Sequence, residues 1–85
     1  MPQKLITDKR ILKIADRLKK LRISKGYSSY ENFALDNELP RMQYWRMEKG
    51  ANFRIDSLLK ILDVYKISLE DFFSKDFEKK LDKKR

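Results

Sequence analysis

The segment from Ser28 to Gly50, SSYENFALDNELPRMQYWRMEKG, constrains the fold of this chain more than any other stretch. On both sides of Pro40 its apolar residues return at intervals of three and four, which predicts two short helices joined by a tight turn. The side chains expected to point inward are Phe33, Ala34, Tyr44 and Met47. The segment therefore predicts a helix-turn-helix unit packed on the rest of a small helical domain.

The second helix of this unit, predicted over residues 40–49, carries a basic and aromatic set of side chains on its outer side. These side chains are Arg41, Met42, Gln43, Trp45, Arg46 and Lys49. The major groove of DNA admits an α-helix and offers hydrogen-bond acceptors to Arg. Two short helices at a steep angle, with the second exposed, are the recognition unit of helix-turn-helix proteins. The pattern favours a sequence-specific DNA-binding module.

Composition argues against several other classes of protein. A chain of 85 residues has room for one domain and a tail, which we place at residues 1–74 and 75–85. The chain has no Cys and no His, so it lacks the thiolate and imidazole metal ligands and the commonest general base. A core this small also leaves little room for a substrate pocket. We expect no catalytic residues, no metal and no cofactor.

The net charge of +8 is unevenly distributed along the chain. Residues 1–54 hold 13 basic and 6 acidic side chains, whereas residues 55–74 hold 2 basic and 4 acidic ones. Residues 75–85 are again basic. A polyanion would therefore meet the first half of the domain and the tail. A Lys-rich surface that only contacts solvent is the alternative. No segment resembles a signal peptide or a membrane span, so we expect a cytoplasmic protein without a membrane partner.

Apolar periodicity predicts three further helices, at residues 8–25, 56–65 and 68–73. The core stripe expected in the first of them is Ile11, Ile14, Ala15, Leu18 and Leu21. The stripe expected in the second is Leu58, Leu59, Ile61, Leu62 and Tyr65. Together with the two helices of the motif, at about 28–37 and 40–49, these segments predict an all-α fold, a compact bundle of about five helices.

Polar residues predict where the helices begin. Thr7 is the expected N-cap of the first helix. Ser28 is expected to form a capping box with Glu31 at the second, with Ser29 as the alternative cap. Ser68 is expected to cap the fifth helix. The fourth helix is expected to begin at Asp56 or Ser57.

Other residues predict where the helices end. Gly26 and Gly50 are suited to the position just after the first and third helices. In the turn of the motif, Asn37 is the residue expected to adopt a left-handed conformation. Pro40 is expected at the first position of the third helix.

The order of these elements, and the sequence within them, make residues 18–73 resemble the lambda-repressor-like, Xre-type helix-turn-helix domains of bacterial and phage regulators. The resemblance rests on LKKLRISKGYS before the motif, YENFALDNELPRMQYWRMEKG within it and SLLKILDVYKISLEDFF after it. It implies a DNA-binding domain of bacterial or phage origin, associated with the nucleoid. Glu38 stands at the turn position where that family usually has Gly, and Tyr30 stands where it usually has Gln.

The resemblance also implies a role for each matching position. The base-reading positions fall on Arg41, Met42 and Arg46, with Gln43 and Trp45 nearby. The positions that contact the DNA backbone fall on Ser29, Tyr30, Asn52 and Arg54, to which we add Lys49. Arg22, late in the first helix, is expected to pair with Glu48 in a structural ion pair.

Each of these assignments has a structural alternative. Arg41 and Arg46 are as well suited to phosphates as to base edges, because at least half of protein–DNA hydrogen bonds go to the backbone. Trp45 is suited to a thymine methyl or a sugar, but equally to packing against Tyr30 or the first helix, which we favour. Met42 is suited to a thymine contact or to the core.

The leading hypothesis is a small transcriptional regulator, a repressor, that binds duplex DNA as a homodimer. The fourth and fifth helices have more apolar residues than one buried side needs, which predicts an interface there; a monomer is the alternative. A second hypothesis is an antitoxin or adaptor whose fourth and fifth helices bind another protein, a toxin or another regulator. A third is packaging of nucleic acid by charge alone, which predicts a steep salt dependence without a preferred site.

Overall fold

The computed structural model describes residues 8–74, and within them the chain forms five helices and no strand. The helices are α1 (Lys9–Ser24), α2 (Tyr30–Asp36), α3 (Arg41–Glu48), α4 (Ile55–Tyr65) and α5 (Leu69–Phe72). The predicted all-α bundle of five helices is confirmed. The predicted tail at 75–85 lies outside the described residues.

Three helices begin with a side chain that accepts hydrogen bonds from backbone N–H groups of the first turn. Asp8 caps α1 and accepts from the N–H of Arg10 at 2.8 Å, so the predicted N-cap Thr7 is one residue too early. Ser29, one of the two residues predicted to cap α2, is its N-cap, and the predicted capping box of Ser28 with Glu31 is therefore wrong. Ser68 caps α5 as predicted. Side-chain oxygens at these positions satisfy donors that the helix itself leaves without a partner.

The other two helices begin without a side-chain cap. Pro40 occupies the N-cap position of α3 instead of its first helical position, and α3 begins at Arg41. Arg54 is the N-cap residue of α4, which begins at Ile55, earlier than predicted. Pro and Arg have no short acceptor with which to cap, so these helices depend on packing for their start.

Four helices end in the same hydrogen-bonded turn, in which one residue has a positive φ. That residue is Gly26 after α1, Glu38 after α2, Gly50 after α3 and Lys66 after α4. In the turn of the motif, the N–H of Glu38 donates to Leu35 O at 3.2 Å and the next N–H donates to Ala34 O at 2.9 Å, the Schellman pattern.

The residue with the positive φ in this turn was predicted wrongly. Asn37 has φ −107°, whereas Glu38 has φ +56°. The side-chain amide of Asn37 donates instead to Phe33 O at 2.8 Å, back along α2. The left-handed position is thus the one at which the resembling family usually has Gly, and a side chain there is strained by about 1 kcal/mol.

The core lies where α1, α2, α3 and α4 meet, with α5 closing one end. Its buried residues are Leu18, Leu21, Phe33, Ala34, Tyr44, Met47, Leu58, Ile61, Leu62 and Phe72. Phe33 is at its centre, with ring centroids 5.0 Å from Tyr44 and 5.6 Å from Tyr65. Burying one such ring contributes on the order of 1.5–3 kcal/mol. Leu59, predicted to point inward, is 39% exposed, because the inner side of α4 is filled by its neighbours.

Candidate nucleic-acid interface

The turn between α2 and α3 holds one side of α3 against the core and leaves the other side of α3 in solvent. Tyr44 and Met47 are each 2% exposed, three residues apart on the inner side. The exposed residues of α3 and its C-cap are Arg41, Met42, Gln43, Arg46 and Lys49. The structure therefore places five of the ten residues predicted to contact DNA on one helical surface.

The single acidic residue of α3, Glu48, is turned away from that surface. Its carboxylate accepts two hydrogen bonds from the Arg22 guanidinium, at 2.7 Å from Nε and 3.0 Å from Nη2. The two side chains are 6% and 7% exposed. A third donor, Nη1 of Arg22, bonds to Tyr27 O at 3.0 Å. This is the ion pair that the resemblance implied, and it ties the end of α1 to the end of α3.

The ion pair between Arg22 and Glu48 affects the pKa of Arg22 and of the neighbouring Tyr44. The hydrogen bond to Glu48 raises the pKa of the Arg22 guanidinium, against the opposing effect of burial. Burial, and then the Glu48 carboxylate, raises the pKa of the Tyr44 phenol, which stays neutral at any physiological pH. The Tyr44 and Tyr65 hydroxyls are both buried and have no hydrogen-bond partner among residues 8–74. The negative charge of Glu48 is thus neutralised inside the domain and does not oppose an anion on the outer side of α3.

Trp45 packs at the edge of the exposed surface. Its side chain is partly buried, its ring centroid is 6.4 Å from that of Tyr30, and the Lys49 ammonium lies 5.8 Å from its ring. Trp45 therefore packs against Tyr30, one of the two packing partners that the sequence analysis favoured. The Lys49 ammonium is held over the indole ring by a cation–π contact.

Three residues predicted to contact DNA have polar neighbours within the domain. An Arg41 Nη1 atom lies 3.8 Å from a Glu31 carboxylate oxygen, and Arg54 Nε lies 3.1 Å from the Asp56 carboxylate. The remaining one, Gln43, donates from Nε2 to Ser57 Oγ at 2.7 Å. All three contacts are exposed, and exposed ion pairs contribute only about 0–1 kcal/mol. They orient the side chains without preventing an exchange for phosphate or base contacts.

An open depression of about 460 Å³ lies between the end of α3 and the loop that follows it. Its lining residues are Gln43, Arg46, Met47, Ala51, Asn52, Phe53 and Arg54. Two guanidinium groups border it and no carboxylate does. The loop residues predicted to contact the DNA backbone are thus brought next to the outer side of α3, where two guanidinium groups border a depression without a carboxylate.

The two remaining predicted backbone contacts lie at the start of α2. Ser29 Oγ accepts from the N–H groups of Glu31 and Asn32, at 3.1 and 3.3 Å, and Tyr30 begins the helix. The Ser29 hydroxyl keeps its own proton for a further acceptor. Glu31, however, brings a carboxylate to the same end of α2.

Sequence reasoning missed two residues that shape this surface. It assigned Glu31 only to a capping box, although the side chain lies beside Arg41. It assigned Ser57 only to the start of the fourth helix, although the Ser57 hydroxyl accepts a hydrogen bond from Gln43. The i,i+10 spacing of the first pair and the i,i+14 spacing of the second cross a turn or a loop, so no local pattern in the sequence signals them.

Comparison of the chain with protein-family models, with curated proteins and with solved structures finds no significant match. Among the described helices, none combines the length and apolar character that crossing a membrane requires. Within residues 8–74, no cluster of His, Cys, Asp or Glu is arranged to hold a metal ion.

Proposed function

We propose that the chain is a lambda-repressor-like helix-turn-helix protein that binds double-stranded DNA sequence-specifically, as a small transcriptional repressor. The observation that carries the proposal is the charge segregation across α3. Its one carboxylate is buried against Arg22, while Arg41, Arg46 and Lys49 face solvent. A helix with this outer side fits the major groove, which is about 12 Å wide and presents acceptors on guanine.

The contacts divide into two groups. Arg41, Met42, Gln43 and Arg46 read bases, and Trp45 presents the free edge of its indole beside them. The DNA backbone is held by Ser29, Tyr30, Lys49, Asn52 and Arg54. The second group approaches from both ends of α3, as expected if phosphates of the two strands flank the helix in the groove.

The DNA-binding form we propose is a homodimer through α4 and α5. Ile55 and Phe73 are 62% and 49% exposed there, and exposed apolar side chains on neighbouring helices favour an interface. Two-fold symmetry would place two α3 helices about one turn of DNA apart, roughly 34 Å. The operator would then be nearly palindromic.

The test is selection of bound sequences from random duplex DNA at near-physiological salt. We expect an enriched palindromic motif. Arg41→Ala and Arg46→Ala should each reduce affinity and relax preference at particular positions of the half-site. The matched control is Lys13→Ala, which removes one charge from the exposed side of α1 and should leave the preference unchanged. A pool without enrichment would overturn the proposal of sequence-specific binding.

A second candidate function is an antitoxin or adaptor in which α4 and α5 bind a different protein. The same exposed apolar residues favour it. It predicts that the purified chain is monomeric and that Phe73→Ser abolishes capture of a toxin or regulator while leaving affinity for the selected duplex unchanged. A homodimer with α4 and α5 buried between its copies would count against this function.

A further inference from the structure

The side chain of Gln43 in α3 is held by a residue of α4. Gln43 Nε2 donates a hydrogen bond of 2.7 Å to Ser57 Oγ. Ser57 lies in the first turn of α4, and its own N–H donates to Arg54 O at 3.0 Å, which fixes its backbone. Ser57 therefore offers Gln43 an acceptor whose position is set by α4.

The hydrogen bond directs the Gln43 amide to one of two depressions that Gln43 borders. One is a narrow crevice between α3 and α4, bordered also by Ser57 and Lys60. The other is the open depression after α3, bordered also by Arg46 and Arg54. Because the amide donates to Ser57, it lies on the α4 side of α3.

The contact also orders the amide before any ligand binds. Gln43 is exposed and Ser57 is half-buried, so the amide remains accessible from solvent. A free Gln side chain has many rotamers, and binding through one of them costs the entropy of the others. A Gln43 that is already bonded to Ser57 loses less entropy when it contacts DNA.

The bond to Ser57 determines which groups of the amide are left for a ligand. A Gln amide has two N–H donors and one carbonyl acceptor. With one N–H bonded to Ser57 Oγ, one donor and the carbonyl oxygen remain. In the major groove adenine presents one acceptor, N7, and one donor, N6, whereas guanine presents two acceptors, N7 and O6. The remaining groups match adenine, and against guanine the carbonyl oxygen would face O6.

We propose that Ser57 is a positioning residue for DNA recognition, which holds the Gln43 amide so that its free N–H and its carbonyl oxygen read adenine. The inference rests on the proposed function. It assigns a base to Gln43 and adds a residue of α4 to the reading of the operator. Because Ser57 acts through Gln43, its loss should change the base preference at one position of the half-site.

The test is selection from random duplex DNA by the full chain and by three variants, Gln43→Ala, Ser57→Ala and Ser57→Thr. The position at which Gln43→Ala abolishes the preference is the one that Gln43 reads. There the parent chain should prefer adenine over guanine by at least about fivefold, the lower end for a bidentate base contact. Ser57→Ala should reduce this preference to within about twofold, and Ser57→Thr, which keeps the hydroxyl, should retain it.

Two controls separate positioning from a general loss of binding. Ser24→Ala removes another Ser hydroxyl that is bonded within the chain, to Leu21 O at 2.8 Å, and should leave every preference unchanged. Ser57→Ala added to Gln43→Ala should lower affinity for the selected duplex no further. A further loss in this double variant overturns the inference, because Ser57 would then act without Gln43.

Three results of the selection would also overturn the inference. Guanine at the position read by Gln43 would mean that the amide carbonyl, not Nε2, is bonded to Ser57. An adenine preference that survives Ser57→Ala would mean that the contact does not position the amide. A Ser57→Thr variant that behaves like Ser57→Ala would mean that the hydroxyl is not the group that matters.

A measurement without DNA tests the contact itself. Nuclear magnetic resonance relaxation of the Gln43 side-chain amide should show less motion on the picosecond–nanosecond timescale in the parent chain than in Ser57→Ala. Equal motion in the two proteins overturns the inference. A selected site at which no base depends on Gln43 overturns the inference alone, whereas a pool without enrichment overturns the proposed function as well.

Discussion

The inner and outer sides of α3 are separated by only the width of one helix, yet they face opposite surroundings. On the inner side, Tyr44 and Met47 are 2% exposed and Glu48 is bonded to Arg22. On the outer side, Arg41 and Arg46 are exposed, and Arg41 lies 3.8 Å from the Glu31 carboxylate. Substitutions on the inner side should therefore change the free energy of unfolding, and those on the outer side should change DNA affinity.

The largest expected effect is on the inner side. Glu48→Ala leaves the Arg22 guanidinium buried without its counter-charge, and the free energy of unfolding should fall by about 3–5 kcal/mol. Urea unfolding followed by circular dichroism measures it. The paired variant Arg22→Leu with Glu48→Leu buries no charge and should be more stable than Glu48→Ala. If Glu48→Ala unfolds like the parent chain, the ion pair does not anchor α3.

On the outer side, Arg46→Ala should weaken binding to the selected duplex by about 1–3 kcal/mol if Arg46 contacts a guanine edge. Its unfolding free energy should stay within about 0.5 kcal/mol of the parent, because the side chain is exposed. Fluorescence titration against the selected and a scrambled duplex gives both affinities. A loss of affinity that is equal for the two duplexes would make Arg46 a phosphate contact.

In the turn between α2 and α3, we expect a substitution that increases the free energy of unfolding. Glu38→Gly should raise the free energy of unfolding by about 1 kcal/mol, because glycine adopts the positive φ without strain. Lys66→Gly, at the same position of the turn after α4, should do likewise. Thermal unfolding measures both. A destabilised Glu38→Gly variant would mean that the Glu38 side chain makes a stabilising interaction that outweighs its backbone strain.

The contact between α2 and α3 predicts a smaller effect on binding. Glu31→Gln removes a carboxylate that lies 3.8 Å from Arg41 and near the start of α2. The free energy of binding to the duplex should become more favourable by about 0.2–1 kcal/mol. Arg41 then has no ion pair with residue 31 to give up, and residue 31 no longer repels the phosphates. The comparison variant is Asp36→Asn, at the other end of α2. Weaker binding by Glu31→Gln would show that the carboxylate positions Arg41 productively.

The smallest effect expected is at the start of α1, away from both sides of α3. Hydrogen bonds from Arg10 lower the pKa of Asp8 from 3.8 to about 2. The stabilisation from this carboxylate should therefore be complete above pH 4 and be lost as the pH falls towards 2. Asp8→Asn keeps a good capping residue and removes the charge. Melting temperatures of the two proteins should converge in this acid range, and a constant difference would contradict the assignment.

Much of the fold could be predicted because the signals are local. Periodicity along Ala15, Leu18 and Leu21 predicted the buried side of α1, and Gly26 marked its end. The errors were also local but involved choices between neighbours. Ser28 and Ser29 are chemically the same, and only the path of the backbone decides which one caps α2. Asn37 has the better intrinsic preference for a left-handed φ. The hydrogen bonds of the turn, however, require the left-handed φ one residue later, at Glu38.

The sequence by itself determined that Tyr44 and Met47 of α3 point inward and that Arg41 and Arg46 point outward, because a helix repeats every 3.6 residues. It also determined the charge asymmetry between residues 1–54 and 55–74. Only the tertiary structure decided that Gln43 meets Ser57, that Glu31 lies beside Arg41 and that Leu59 is left at the surface. These outcomes depend on how α2 and α4 are placed against α3, and that placement is set by packing the whole core at once.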